Sequence, residues 1–350
     1  MIFRNSRSRP RGEGAKRLPF DLSFSTCGSL GTGGISVIIP TCGRSESLRQ
    51  SIRSTGQAAY SAKLSDDELE VVVVDDGYSA ETSRLVGDEL IRSGLIGRCQ
   101  RSPGGPSAGP AVARHHGICS AQGGLIYLLD DDDQFLPNRF QKSVGLLGSG
   151  NSDVVFERSP RCYDDGSGRA SYVTGPFESN LLPFEFLIAG GGPSHVTPAA
   201  TAFRKSTYLA CGGYDPRLRH YGEDGELLLR LCLYGRVAML AGDPVCRISI
   251  HSSNTSRPAN RDYWQNMVSL GTLHRKVRRD KERWPEAYRF LRDGGVVSGK
   301  LDFCLSQVRS ESRTYAERLR RGLRVIQYFP LDCLRWNNLR TIGVWLTKGV

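Results

Sequence analysis

Leu69-Glu70-Val71-Val72-Val73-Val74-Asp75-Asp76-Gly77 is the stretch that decides the fold. Four consecutive valines leave no polar face, and an unbroken β-branched run suits a strand covered on both sides, as in a parallel sheet. Asp-Asp-Gly then ends the run with turn chemistry. Upstream lies a second β-branched run, Ile35-Ser36-Val37-Ile38-Ile39, stopped by Pro40. Between the two, Leu48 and Ile52 at i, i+4 spacing predict a helix from about Ser45 to Ala59. Downstream, a helix is expected from about Ala80 to Ser93. A third strand, Leu125-Ile126-Tyr127-Leu128-Leu129, runs straight into Asp130-Asp131-Asp132-Asp133. Strands alternating with helices imply an α/β fold with a mostly parallel central sheet flanked by helices. Such sheets bind ligands beyond the carboxyl ends of their strands. Thr41, Asp76 and Asp130 to Asp133 all fall at such ends.

The second half is patterned differently. Residues 157 to 200 are rich in Gly, Ser and Pro, with strand-like pieces such as Ala170 to Val173. A helix is expected from about Asp224 to Tyr234, with Leu227, Leu228 and Leu231 on one face. A strand from Cys246 to Ile250 leads to His251. From about Tyr263 the pattern is helical and basic.

Composition bounds the rest. The 350 residues are 39% hydrophobic and 24% charged, with a formal net charge of +11. This is globular composition, with an anionic partner or plain solubility as the meaning of the charge. The ten cysteines include no Cys-x-x-Cys pair, which argues against a zinc site or a redox dithiol. There is no uninterrupted apolar stretch of about 18 residues, so no membrane span is expected. The first 20 residues lack an apolar core of signal-peptide length. Together these point to a cytoplasmic protein with reduced thiols.

Four adjacent carboxylates after a buried strand are the strongest chemical signal. Like charges a few ångströms apart repel, and a divalent cation removes that repulsion. Hard oxygen ligands select Mn²⁺ or Mg²⁺, often shared with substrate phosphates. The bland alternative is a solvated acidic turn.

The chain resembles family 2 glycosyltransferases of the GT-A, Rossmann-like fold. The resemblance is carried in order by Val37-Ile38-Ile39-Pro40-Thr41, Val73-Val74-Asp75-Asp76-Gly77, Ala113-Arg114, Leu129 to Asp133 with Pro137, Gly212-Gly213-Tyr214-Asp215, Gly222-Glu223-Asp224 and His251. It implies metal-dependent, inverting transfer from a nucleotide-sugar, of UDP, GDP or dTDP type, to a glycan or lipid-linked acceptor. The setting it implies is polysaccharide or cell-surface glycan synthesis. Pro40, Thr41, Arg44, Asp75 and Asp76 would surround the nucleoside, with Asp75 a structural neighbour as the alternative. Asp130 and Asp132 would end the DxD element. Asp132 would contact the metal, and Asp131 and Asp133 would bind ribose or water. His251 would be a metal or diphosphate ligand, against a plain polar surface residue. Arg114 would contact the donor, against a surface ion pair. His115 stands where the family has Asn, which puts that contact in doubt. Asp224 would be the general base, with Glu223 its competitor and helix capping its bland role.

The same resemblance divides the chain. Residues 1–33 are expected to be a basic disordered tail, 34–260 a catalytic domain (34–135 nucleotide-binding, 136–260 acceptor-binding, where His195 and Tyr221 are candidates), and 261–350 a basic helical C-terminal extension. An Arg-rich helix there fits either packing on the domain or peripheral contact with the inner face of a membrane. Competing functions have weaker support. A nucleotidyltransferase or dehydrogenase would carry a glycine-rich loop directly after the first strand, where Pro40-Thr41-Cys42-Gly43-Arg44 stands instead. No nucleic-acid-binding motif is present. A catalytically inactive nucleotide-sugar-binding protein remains the alternative from another class.

Overall fold

The structure, a computed structural model, describes residues 34–158, 161–164, 171–173, 197–216, 218, 222–249, 251, 271, 273–292 and 314–328. The expected tail 1–33 lies outside them, as do His195 and Tyr221.

The strands are β1 (Ile35–Thr41), β2 (Leu69–Asp75), β3 (Ile96–Arg101), β4 (Leu125–Leu128), β5 (Gln134–Phe135), β6 (Val154–Arg158), β7 (Arg161–Asp164), β8 (Ser171–Val173), β9 (Thr201–Arg204), β10 (Val237–Ala241) and β11 (Cys246–Ser249). The helices are α1 (Ser45–Ser61), α2 (Ala80–Arg92), α3 (Pro110–Ser120), α4 (Ser143–Gly148), α5 (Lys205–Ala210), α6 (Glu223–Tyr234), α7 (Pro285–Arg292) and α8 (Tyr315–Tyr328). The main sheet has seven strands in the order β10-β6-β9-β4-β1-β2-β3. β1 pairs in parallel with β2 and β4, β2 with β3, and β10 with β6. Only β9 runs against its neighbours, β4 and β6. A smaller sheet has the order β5-β11-β7-β8. The fold is thus the expected α/β architecture with a mostly parallel central sheet flanked by helices.

Both faces of the main sheet are covered, which explains the valine run. Val71 and Val73 point to one core with Val37, Ile39, Leu125, Tyr127 and the inner faces of α1 and α2. Val72 and Val74 point to the other, with Ile38, Ile126, Leu128, Phe156 and Phe203. That second core is closed by α3 and α6 and by Leu273, Val277, Trp284, Ala287 and Leu291 of the C-terminal helical residues. The Trp284 ring lies 5.5 Å from that of Tyr234 at the end of α6. Gly117 of α3 permits close helix–sheet contact, since a Cβ there would stand 2.6 Å from Ile38 Cγ2.

Candidate active site

The chain places β2 and β3 on one side of β1, then crosses to β4 on the other. A reversal of this kind opens a crevice at the carboxyl ends of the two central strands. Thr41 ends β1 there, and Asp130–Asp133 follow β4. The Thr41 hydroxyl donates to Asp131 Oδ2 across the crevice at 2.6 Å.

The acidic turn is clamped from several elements. Ser51 of α1 donates to the Asp133 carbonyl at 2.6 Å. Ser249 of β11 donates its hydroxyl to the Asp132 carbonyl and its amide to Asp133 Oδ1, the latter at 3.0 Å. Held this way, Asp130, Asp132 and Asp133 each bring a carboxylate oxygen to within 4.8 Å of the others. Asp131 turns away, buried against Thr41, and that burial pushes its carboxyl up to about 6. Burial, with Asp130 and Asp132 adding repulsion, pushes Asp133 well above the ordinary range. Three converging hard donors under mutual repulsion fit a divalent cation. Arg44 supplies part of the missing positive charge, with one nitrogen 3.0 Å from Asp131 Oδ1 and 2.5 Å from Asp132 Oδ2. His251, beyond β11, places Nε2 2.8 Å from the same Asp132 oxygen. It therefore stands beside the carboxylate triad through Asp132, while Asp133 occupies the third corner.

The two aspartates after β2 are engaged by backbone. Asp75 Oδ1 accepts from the Gly77 and Tyr78 amides at 2.9 and 3.0 Å, closing its own turn. Asp76 accepts from the Ala108 amide at Oδ1 (3.1 Å) and the Gly109 amide at Oδ2 (2.9 Å). It thereby pins the glycine-rich loop before α3, where Gly109 at φ +106° takes a conformation that suits glycine. Pro40 is buried in β1 beside Val74.

Arg114 of α3 joins this site to a second acidic group. It is buried, not a surface ion pair, and its guanidinium reaches Asp130 Oδ1 at 2.5 Å and Asp224 Oδ1 at 3.0 Å. Glu223 lies at 3.3 Å. Burial opposes the arginine's charge, but Asp130 and Asp224 outweigh it, so its pKa stands well above the ordinary value. Glu223 and Asp224 open α6, where the helix dipole favours acids. The Glu223 side chain is 7% exposed and that of Asp224 27%. Burial and the neighbouring Asp224 push Glu223 up. Burial also raises Asp224, but Arg114 and a 2.9 Å hydrogen bond from the Tyr214 hydroxyl work against that rise.

The structure thus brings two hydrogen-bonded sets together at the acidic turn: Thr41, Arg44, Asp131, Asp132 and His251 in one, and Arg114, Asp130 and Asp224 in the other. Asp76 stands one loop away. Sequence reasoning assigned nothing to Ser51, Ser249 or the Tyr214 hydroxyl. Of these, only Tyr214 lay in a quoted motif; a lone serine 79 or more positions from its partner leaves no local signal.

Comparisons with known proteins agree with this fold. Residues 36–209 match the family described as Glycosyl transferase family 2. An uncharacterized glycosyltransferase of Haemophilus influenzae is 25% identical over 201 residues, which span 56% of this chain and 61% of that protein. The amylovoran biosynthesis glycosyltransferase AmsE of Erwinia amylovora is 23% identical over 231 residues, 65% of this chain and 80% of that one. Among solved structures, S. aureus TarS in complex with UDP-GlcNAc superposes with a TM-score of 0.63 at 15% identity. That match covers 90% of this chain and 91% of the solved TarS 1-349 chain, and the likeness is one of fold.

Proposed function

The chain belongs to glycosyltransferase family 2, and from that premise we propose that it moves a hexosyl group from a nucleoside-diphosphate donor to an acceptor hydroxyl with inversion. The observation that carries this reading is Arg114. One buried guanidinium touches both Asp130 of the strand-end cluster and Asp224 of α6, so a donor site and a proton acceptor share a single crevice.

Roles follow from position. Asp130, Asp132 and Asp133 would hold Mn²⁺ or Mg²⁺, with His251 beside Asp132. When bound, such a cation neutralises charge on the leaving diphosphate. Arg44 and Arg114 add fixed positive charge on either side of the cluster. Pro40, Thr41, Asp75, Asp76 and Asp131 shape the wall for the nucleoside, with Asp75 and Asp76 acting mainly by holding backbone.

Asp224 is the general base in this reading. A proton shared between two neighbouring carboxylates rests on the deeper one, Glu223, and leaves the more accessible Asp224 ionised. As the acceptor oxygen attacks the anomeric carbon, its O–H proton passes to Asp224. The bond from that carbon to the diphosphate oxygen breaks, and the nucleoside diphosphate leaves with the electron pair. Attack from the opposite face gives inversion and needs no covalent enzyme intermediate.

The relative AmsE, by its description, serves amylovoran biosynthesis, and a polysaccharide or cell-surface glycan acceptor is the corresponding proposal here. No described helix is long and apolar enough to cross a membrane. A cytoplasmic site of action with peripheral contact through the basic helical C-terminal segment completes the reading. Co-sedimentation with anionic vesicles, lost on deleting residues 306 to 350, tests that contact.

The central experiment is a thermal-shift panel of UDP, GDP and dTDP with and without Mn²⁺. One nucleotide should stabilise the protein in a metal-dependent way by mass action. No stabilisation by any of the three would overturn the donor assignment.

A further inference from the structure

We propose that Tyr214 is a positioning residue for the Asp224 carboxylate, and that a hydrogen-bonded chain ending on His115 holds it there. The inference deepens the assignment of Asp224 and rests on it.

The chain can be followed atom by atom. The Tyr214 hydroxyl donates to Asp224 Oδ1 at 2.9 Å. The Tyr214 amide donates to the Tyr208 hydroxyl oxygen at 3.1 Å. Tyr208 Oη lies 2.7 Å from His115 Nδ1. With Tyr208 Oη already accepting from the amide, donation of its own proton to His115 Nδ1 satisfies both groups and assigns the ring proton to Nε2. Nε2 then faces Cys119 Sγ at 3.6 Å, a contact that suits a weak N–H···S bond. Burial lowers the His115 pKa, in keeping with a neutral ring. The rings of Tyr208 and Phe203 stack at 5.7 Å, which fixes the middle of the chain against the sheet.

Gly213 explains why the segment is built as Gly212-Gly213-Tyr214. It sits at φ +67°, and a Cβ there would stand 2.9 Å from His115 Cε1 and Nδ1. Only glycine lets the backbone pass close enough for the next amide to reach Tyr208.

Tyr214 shares this task with Arg114, which donates to the same Asp224 oxygen. Asp224 faces Arg114 from α3, Asp130 from the turn after β4, and Glu223 from its own helix. Arg114 is divided among three carboxylates. The Tyr214 hydroxyl, buried and with its pKa far above the ordinary value, stays a donor through the neutral range. A hydrogen bond to an ionised carboxylate favours that form and fixes its direction.

Tyr214→Phe in the full chain tests this. Its closest readout needs no ligand: the Asp224 carboxyl titration, followed by NMR on ¹³C-labelled aspartate, with the signal identified by Asp224→Asn. Loss of the donor should move the midpoint upward by about one pH unit, and turnover should fall roughly tenfold at unchanged nucleotide affinity. His115→Asn keeps an acceptor for Tyr208 and should titrate like the wild type. His115→Leu should move part of the way toward Tyr214→Phe. An unmoved midpoint in Tyr214→Phe overturns the positioning role. Equal behaviour of Asn and Leu at 115 overturns the chain behind it. If wild-type protein turns over no donor while the midpoint moves, the functional reading fails and the positioning stands.

Discussion

Two carboxylate clusters end up in one crevice, and they are built in opposite ways. Asp130–Asp133 follow a strand and are held by groups from α1, β1 and β11 that grip backbone as well as side chain. Glu223 and Asp224 open a helix, where the dipole and a few side chains suffice. In the first cluster, three oxygens converge and repulsion is left for a cation to relieve. In the second, one acid is deep and the other is reachable and oriented. On the proposed reading, like chemistry serves ion binding where donors converge, and proton transfer where one acid is set apart from its neighbour.

The contrast breaks most sharply on two substitutions. Asp224→Asn should cut turnover by roughly 10²- to 10⁴-fold, the usual contribution of a general base, while nucleotide binding persists. Near-normal steady-state rates in that variant would remove Asp224 from its role. Asp132→Asn should do the reverse to binding. The Mn²⁺-dependent part of nucleotide stabilisation should disappear in thermal shift, and its persistence would move the metal elsewhere.

The pH profile sharpens the contrast at smaller scale. Asp224 is raised above the ordinary aspartate value of about 4, and the base form exists above its midpoint. Turnover should therefore decline as pH falls through a midpoint above that value. An acid limb at or below about 4 would contradict the burial of this group. The smallest effect belongs to the clamp on the turn. Ser51→Ala leaves the Asp133 carbonyl without its hydroxyl partner and should cost about 1 kcal/mol in denaturant unfolding. No change would mean that water replaces the serine.

Much of the first half was legible before any coordinates. The runs at 35–39, 69–74 and 125–128 lie in strands because their β-branched and aliphatic residues must be covered on both faces. The helices expected at 45–59 and 80–93 occur at Ser45–Ser61 and Ala80–Arg92. β3, Ile-Gly-Arg-Cys-Gln-Arg, escaped notice because an edge strand half exposed to solvent carries no apolar run. β6, β9 and β10 escaped as well. Four or five residues long, they draw their stability from pairing with distant strands.

The candidate site divides along the same line. The sequence by itself determined which residues are the candidates, because four carboxylates after a buried strand and an acidic pair opening a helix are local patterns. It also determined that the first cluster lies at a sheet edge, since strand and helix alternate around it. Only the tertiary structure decided that Asp76 spends both oxygens on a loop, that Asp133 joins Asp130 and Asp132, and that Arg114 links Asp130 to Asp224. Those facts depend on side chains up to 110 positions apart meeting in one crevice. Local propensity carries no information about such meetings; packing of the whole chain does.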